Sequence, residues 1–350
     1  MKTRWLRNFL VGLLGAVVIG LGLSLFTATT ATPRFHYSIT QLGISGNIED
    51  FTWGINDRGQ VIGGASTRNG FYRAFLWNNG TISGLGTLGG SNSYARDINN
   101  KGQVVGSANI RSGSERAFVW NNGTMSNLGT LGGSKSSAFG INNNGQVVGK
   151  ADTSSSDSHA FVWNNGTMSD LGTLGGSKSA AYGINNKGQV VGEANTSRGS
   201  SYAFVWNNGT MSDLGTLGID QSSAFGINNN GQVVGYARSS SGSVYAFLWN
   251  NGTMSNLGTL GGSYSWANSI NNRGQVVGFA NTSNESEHAF VWRNGRMIDL
   301  NSLIPANSGW ELTGARDINN NGQIVGYGKF KGQTRAFLLT PTWVTKSGAS

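Results

Sequence analysis

Residues 141–183 read INNNGQVVGKADTSSSDSHAFVWNNGTMSDLGTLGGSKSAAYG, and residue 184 begins the same phrase again. Copies of this unit recur along the chain with five successive spacings of 43 residues and a last spacing of 48. Their opening INN or IND phrases start at Ile55, Ile98, Ile141, Ile184, Ile227, Ile270 and Ile318. A fixed period of this length indicates a repeat architecture in which neighbouring units share one continuous core.

Each unit contains four segments typical of β-strands, because β-branched and aromatic residues fill their apolar positions and no helical periodicity is present. In the copy above these segments are residues 137–142 (a), 146–151 (b), 159–163 (c) and 167–172 (d). Asn-Asn-x-Gly joins a to b and Asn-Asn-Gly joins c to d, and such short turns permit only antiparallel hairpins. Seven copies of a four-stranded antiparallel unit predict an all-β fold, a seven-bladed β-propeller.

The two ends of the repeat region complement each other. The last copy stops after strand c, whereas residues 37–43, YSITQLG, resemble a strand d that precedes any strand a. We therefore expect residues 37–43 to pair with residues 335–340 and to close the ring. The predicted propeller covers residues 35–341, and residues 342–350 form a short C-terminal tail.

Composition excludes several classes of function. The formal net charge is +9, but three of the positive charges lie within the first seven residues, and no basic run is longer than two. This thin spread argues against a specific nucleic-acid partner. The chain has no cysteine, which excludes disulfides, thiolate metal sites and a catalytic thiol.

Residues 1–31 have the features of a targeting segment. Lys2, Arg4 and Arg7 precede an uncharged stretch over residues 9–26, and small residues follow it. This pattern predicts a signal peptide or, if it is not cleaved, an N-terminal membrane anchor. In both cases we expect an exported protein, extracellular or in the cell envelope, with no other membrane contact.

The triplets His159-Ala160-Phe161 and His288-Ala289-Phe290, together with the phrases DLGTLGG and DINN-x-GQVVG, resemble the HAF repeats of bacterial extracellular proteins. The resemblance covers residues 37–339. It implies export and a repeat fold, and it implies no particular activity.

Residues suited to catalysis or metal binding are scarce. Only three histidines are present, and Asp170, Asp213 and Asp299 share one repeat position, which suits a surface or turn role better than catalysis. The DINNNG phrase at residues 317–322 resembles the first half of a calcium loop, but a glycine stands where the loop needs its last acid. We therefore predict no metal, no cofactor and no catalysis.

A polysaccharide hydrolase or lyase is the alternative left open. It would need paired carboxylates at the mouth of the propeller channel, and Glu311 with Asp317 or Asp50 are the candidates.

Positions where the copies disagree are the best candidates for binding. Strand a is expected to line the channel, and three residues before its final Asn it carries Trp53, Arg96, Phe139, Tyr182, Phe225, Asn268 or Arg316. Two residues earlier are Tyr94 and Trp266, and Trp310 lies in an insertion within residues 301–312. The predicted ligand-binding residues are Trp53, Tyr94, Arg96, Trp266, Trp310 and Arg316. Such side chains can stack on a sugar or hold an acidic group, although packing between blades around a solvated channel is the simpler role.

The sequence therefore predicts an exported binding or scaffold module whose ligand is a glycan or a cell-surface protein. A purely structural surface protein is the third possibility.

Overall fold

The structure, a computed structural model, describes residues 34–43 and 51–344. Strand β1 (Arg34–Gln41) precedes the repeats. Blades 1 to 3 contain β2 (Phe51–Ile55), β3 (Val61–Ser66), β4 (Tyr72–Asn78), β5 (Thr81–Gly84); β6 (Gly89–Ile98), β7 (Val104–Ile110), β8 (Glu115–Asn121), β9 (Thr124–Asn127); and β10 (Gly132–Ile141), β11 (Val147–Thr153), β12 (Ser158–Asn164), β13 (Thr167–Gly172). Blades 4 to 6 contain β14 (Gly175–Ile184), β15 (Val190–Thr196), β16 (Ser201–Asn207), β17 (Thr210–Asp213); β18 (Gly218–Ile227), β19 (Val233–Ser239), β20 (Val244–Asn250), β21 (Thr253–Asn256); and β22 (Gly261–Ile270), β23 (Val276–Thr282), β24 (Glu287–Arg293), β25 (Arg296–Asp299). A 3₁₀ helix, η1 (Leu300–Leu303), leads to blade 7, which contains β26 (Trp310–Ile318), β27 (Ile324–Phe330) and β28 (Gln333–Val344).

Within each blade, consecutive strands pair antiparallel in sequence order, so the innermost strand is a and the outermost is d. Blade 7 takes its fourth strand from the other end of the chain, because β1 pairs antiparallel with β28. One parallel residue pair, Ser201 with Gln221, links blades 4 and 5. The predicted all-β class with four-stranded antiparallel units is confirmed.

The a–b and c–d turns adopt the geometry that their asparagine and glycine residues favour. In blade 3 the Asn142 side chain accepts hydrogen bonds from the backbone N–H groups of Asn144 and Gln146, both at 3.0 Å. In the c–d turn, Asn165 and Gly166 both have positive φ, 48° and 88°. These values belong to the hairpin turn that matches strand twist, which is why Asn-Gly recurs there.

Strand a is longer than the sequence predicts. In blade 3 it begins at Gly132 rather than near residue 137, and its pairing with β11 shifts register twice, between Gly132 and Ser136 and between Ala138 and Gly140. The glycines of the preceding TLGG phrase supply the positive φ, 102° at Gly132, with which this extension starts. The second shift is a β-bulge that recurs in the other blades.

The core lies between blades rather than within them. One buried cluster contains Val105 and Ala117 of blade 2 together with Ala138, Ile141 and Phe161 of blade 3. Equivalent clusters join other neighbouring blades, and the tryptophans that end strand c are partly buried against them. A single blade therefore leaves both faces of its sheet uncovered, and the fold requires the ring.

The seam between the chain ends differs from the other blade boundaries. The pairing extends from Arg34–Val344 to Gln41–Phe337, so β28 continues three residues past the expected boundary at residue 341 because β1 begins early enough to pair with it. The insertion packs here: Ile304 is buried and joins Leu300, the last repeat residue before the insertion, in a cluster with Tyr37 of β1, and Leu303 packs against the same cluster. The inserted residues thus cover the seam with apolar side chains.

The predicted targeting segment, residues 1–31, lies outside the described residues. Among the residues that are described, no helix is both long and apolar enough to cross a membrane.

Candidate functional site

A channel runs through the centre of the ring and has a cavity of about 180 Å³ at each end. The isoleucines that end strand a lie between the two cavities, since Ile184, Ile227 and Ile270 contribute to both. The channel therefore has two chemically separate mouths, an asparagine mouth at the a–b turns and a second mouth that we call the channel site.

The asparagine mouth is closed by two rings of hydrogen bonds. In the first ring the Asn side-chain Nδ2 of one blade donates to the Asn backbone oxygen of the next, and the ring closes from Asn319 to Asn56. In the second ring the backbone N–H of the following residue donates to Oδ1 of its counterpart in the next blade. Asp57 is the one acid in this second ring, where it accepts from the side chains of Asn100 and Asn320. The asparagines of the first ring therefore join neighbouring blades through Nδ2 and hold their own turns through Oδ1.

The channel site contains every residue of the predicted channel-lining position. Its walls are Trp53, Arg96, Asp97, Phe139, Tyr182, Phe225, Asn268, Arg316 and Asp317, with the adjoining small and isoleucine residues. Consecutive residues of a regular strand point to opposite faces. The bulge in strand a breaks this alternation, so Arg96 and Asp97 both reach the cavity, as do Arg316 and Asp317.

Two guanidinium groups approach one indole ring. Arg96 Cζ lies 4.4 Å from the Trp53 ring centroid and Arg316 Cζ lies 4.8 Å from it. Trp53 belongs to blade 1, and the arginines come from the neighbouring blades 2 and 7. Among the described residues neither arginine forms an ion pair, and Arg316 Nε is buried without a hydrogen-bond partner. The two guanidinium charges are therefore not neutralised by an ion pair in the described part of the chain, and Arg316 Nε is an unsatisfied donor.

The opposite side of the channel site is aromatic. Phe139, Tyr182 and Phe225 come from blades 3, 4 and 5, with successive ring centroids 5.4 and 5.3 Å apart. The Tyr182 hydroxyl donates to Glu193 Oε1 at 2.9 Å. The cavity thus has an aromatic side and a charged side, and the charged side carries Arg96 and Arg316 with Asp97 and Asp317 at its base.

Asp97 links two blades at the base of the site. Its carboxylate accepts from the backbone N–H of Ile98 at 2.7 Å and from that of Ile141, in blade 3, at 2.8 Å. Burial, followed by the negative charge of Asp317, raises the pKa of Asp97 to about 7, and the backbone hydrogen bonds oppose this rise. Part of the side chain remains exposed to the channel.

Asp317 makes the equivalent link from blade 7 to blade 1. It accepts from the backbone N–H groups of Ile318 and Ile55, both at 2.8 Å, and from Ser269 Oγ at 2.6 Å. Burial raises its pKa, while these hydrogen bonds lower it. Both carboxylates thus act as acceptors between blades, a role that accounts for their position without catalysis.

The structure brings three of the six predicted binding residues together at the channel site, namely Trp53, Arg96 and Arg316. Tyr94 lies two residues before Arg96 on β6 and does not line the site. The Tyr94 ring stacks on Tyr72 with centroids 4.8 Å apart.

Trp266 and Trp310 lie elsewhere and serve in packing. Trp266 stacks on Tyr236 with ring centroids 4.0 Å apart and on Phe279 with ring centroids 6.1 Å apart. The Trp266 ring therefore packs within an aromatic cluster of blades 5 and 6. Trp310 stacks on Phe330 at 5.0 Å beside the seam. Neither ring lines the channel site, and the prediction that these two residues bind a ligand stays a prediction.

The carboxylates that line the channel site differ from the pair predicted for a hydrolase or lyase. Glu311 pairs with Lys329 at 3.2 Å and does not line the channel site, and Asp50 lies outside the described residues. The two carboxylates that do share the cavity are Asp97 and Asp317. In the part of the chain that the structure describes, no group of three His, Asp or Glu side chains could hold a metal ion.

One variable position escaped the sequence prediction. The residue after the VVG or IVG of strand b is Lys150, Glu193, Tyr236, Phe279 or Tyr327 in blades 3 to 7. Arg316 Cζ lies 5.0 Å from the Tyr327 ring, and Lys150 Nζ lies 6.0 Å from the Phe139 ring, so in these two blades the position contacts channel-site residues without lining the cavity. Its variation among otherwise uniform strands was the signal that could have identified it.

Comparisons with solved structures identify the class of protein. The chain is similar to the β-propeller domain of the Trilobed protease from Pyrococcus furiosus, with a TM-score of 0.56 at 9% identity over 86% of this chain and 99% of that one. It is also similar to a puromycin-hydrolyzing peptidase of Mycobacterium tuberculosis (TM-score 0.54, 11% identity, 91% of this chain) and to the acylaminoacyl peptidase of Pyrococcus horikoshii (0.52, 9%, 84%). The chain spans 52% of each of these two peptidases. These likenesses define the fold, which is a β-propeller.

The sequence gives a narrower match. Residues 196–329 match a family described as a protein of unknown function, DUF3466. No curated protein matches the chain.

Proposed function

We propose that this protein is a non-catalytic binding module whose channel site holds the carboxylate of an acidic glycan. The observation that carries the proposal is the pair of guanidinium groups, Arg96 and Arg316, that flank Trp53 in a cavity without forming an ion pair among the described residues.

The chemistry of the two sides fits this ligand class. A guanidinium group offers donors in a planar fork that matches a carboxylate, and charge-assisted hydrogen bonds of this kind are the strong ones. The aromatic side, Phe139, Tyr182 and Phe225, provides an apolar surface for the C–H face of a sugar. A phosphate or sulfate ester would use the same arginines, so the ligand panel has to separate these anions.

Export belongs to the same proposal. The targeting features of residues 1–31 and the resemblance to extracellular HAF repeats support a location where a protein meets polysaccharides. Cell fractionation tests this: the protein should be recovered from the envelope or the medium, and recovery in the cytoplasm would contradict it.

The binding test uses a glycan array that contains uronic acid, sulfated and neutral glycans, followed by calorimetry on the hits. Wild-type protein should prefer uronic acid glycans. Arg96→Ala and Arg316→Ala should each weaken binding about tenfold or more, because a hydrogen bond to a charged group is worth about 1.5–3 kcal/mol. Arg238→Ala is the matched control, since this exposed arginine on β19 does not line the site.

Equal binding of acidic and neutral glycans, or equal effects of Arg96→Ala and Arg238→Ala, would contradict the proposal. A preference for sulfated glycans would mean that the arginines bind a sulfate ester rather than a carboxylate.

The hydrolase or lyase alternative is favoured by one observation, the raised pKa of the Asp97 carboxyl in a cavity with two arginines. It is tested by incubating the protein with acidic polysaccharides and measuring reducing ends and unsaturated uronates. We expect no turnover; turnover that Asp97→Asn abolishes would establish the enzyme instead.

A further inference from the structure

We infer that the ligand is a linear acidic oligosaccharide, with one unit in the channel site and the next in an adjoining groove between blades 2 and 3. This inference rests on the proposed function and specifies the form of its ligand.

The groove is continuous with the channel site. It has a volume of about 370 Å³, and Arg96 and Phe139 line both it and the channel cavity. Alone, the channel cavity is smaller than the roughly 300–1,000 Å³ typical of ligand pockets, whereas the two cavities together fall within that range. A ligand anchored on Arg96 therefore has room to continue in this direction.

Equivalent positions at two other blade boundaries are filled by aromatic rings. Between blades 1 and 2, Tyr72 stacks on Tyr94 with centroids 4.8 Å apart. Between blades 2 and 3, the residues one repeat later are Glu115 and Ser137, which leave the space between the blades open.

The same contrast holds between blades 5 and 6. There Trp266 of blade 6 stacks on Tyr236 of blade 5 at 4.0 Å and on Phe279 of its own blade at 6.1 Å. The respective equivalents three repeats earlier are Ser137, Ser107 and Lys150. Lys150 is exposed and its register partner is Ser137. The groove thus exists because the copies disagree at these positions.

The charges of the groove favour an acidic sugar chain. Lys135 and Lys150 add two cations to Arg96, and neither lysine forms an ion pair with another described residue. Glu115 and Asp152 also line the groove, where they accept from the hydroxyls of Ser137 and Ser134. Carboxylates beside lysines suit the hydroxyls and carboxylate of a uronic acid unit. They disfavour a polyanion such as polyphosphate or a nucleic acid, whose charges are continuous.

Calorimetry with galacturonic acid, trigalacturonic acid, a neutral trisaccharide and inorganic polyphosphate tests the inference. On wild-type protein the acidic trimer should bind about tenfold or more tighter than the monomer. The double variant Lys135→Ala/Lys150→Ala should remove this advantage and leave monomer affinity within about twofold of wild type. Lys178→Ala is the matched control, because Lys178 occupies the repeat position of Lys135 in blade 4, is exposed and does not line the groove.

The outcomes separate this inference from the proposal beneath it. If monomer binding depends on Arg96 but the trimer binds no more tightly than the monomer, the inference that the groove binds a second sugar unit is wrong, and the proposed channel site is unaffected. Equal weakening of monomer and trimer in the double variant would also overturn the inference, as would tighter binding of polyphosphate than of the acidic trimer. Absence of binding by every sugar tested would count against the proposed function itself.

Discussion

At the scale of single residues, the glycine of the VVG phrase is required by the bulge in the neighbouring strand. A Cβ added at Gly192 would lie 1.9 Å from the backbone oxygen of Ala180, and the equivalent distance at Gly149, from the oxygen of Ser137, is 2.0 Å. The bulge points a backbone carbonyl of strand a at this position of strand b, and only glycine, which has no Cβ, leaves room for the oxygen. The bulge in strand a therefore explains both the repeated glycine of strand b and the two consecutive strand-a residues that face the channel.

Gly192→Ala should lower the free energy of unfolding by at least about 1–3 kcal/mol, the cost of overpacking a closely packed position. Gly84→Ala is the matched control, because a Cβ there has nothing within 4 Å and the backbone does not require positive φ. Urea unfolding of the two variants and wild type measures the difference. Equal stability of the two variants would show that the bulge can relax.

The carboxyl group of Asp97 predicts a pH dependence of stability. Its pKa in the folded protein is about 7, above the ordinary value of 3.8. Between these two pH values the folded protein retains a proton that the unfolded chain has released. This contribution to the free energy of unfolding therefore falls as pH rises through the window.

Urea unfolding at pH 4, 5.5 and 7 tests this, with Asp97→Asn for comparison because Asn does not titrate. The stability of wild type relative to the variant should be greatest at pH 4 and should decrease toward pH 7. A constant difference across this range would mean that the Asp97 pKa is not raised.

At the scale of elements, β1 is the strand that joins the chain ends. It carries Tyr37 and precedes Leu42, which are 1% and 2% exposed, and it packs against Leu300 of η1. The bulged strands a, by contrast, serve the channel, where they present two consecutive side chains instead of one.

Deletion of residues 34–43 should lower the melting temperature strongly. Burial of each large apolar side chain is worth about 1.5–3 kcal/mol, and two such groups are lost together with a strand pairing. This is a large part of the roughly 5–15 kcal/mol that stabilises a typical protein. The control is the chain that begins at residue 32, measured by differential scanning calorimetry; coincident melting curves would show that β1 is dispensable.

Strands and turns could be predicted from the sequence because the signals are local: Asn-Gly in a hairpin, alternation in a strand and a period of 43 residues. The site could be predicted only in part. That Trp53, Arg96 and Arg316 line the channel follows from their shared repeat position, whereas the inward direction of Asp97 depends on a bulge. The stacking of Trp266 could not be predicted, because its partner Tyr236 is a residue on a neighbouring blade 30 positions earlier.

At the scale of the whole molecule, function and scaffold occupy different parts of each repeat. Residues that are alike in every copy make turns, bulges and the packing between blades. Residues that differ line the channel site, to which all seven blades contribute, and the groove between blades 2 and 3. The ring is regular in its backbone and asymmetric in the surface that it presents.

The two hydrogen-bonded rings at the asparagine mouth have an electrostatic consequence. Every donor points to the next blade in the same rotational sense, from blade 1 through blade 7 and back to blade 1. A helix ends in unpaired groups that leave a partial charge at each terminus. A circuit of dipoles that closes on itself has no terminus, and the in-plane components of its dipoles cancel around the ring. An ion that approaches this mouth therefore meets no unpaired end of the circuit, and the formal charges around it are those of Asp57 and of the basic turn residues Arg58, Lys101, Lys187 and Arg273.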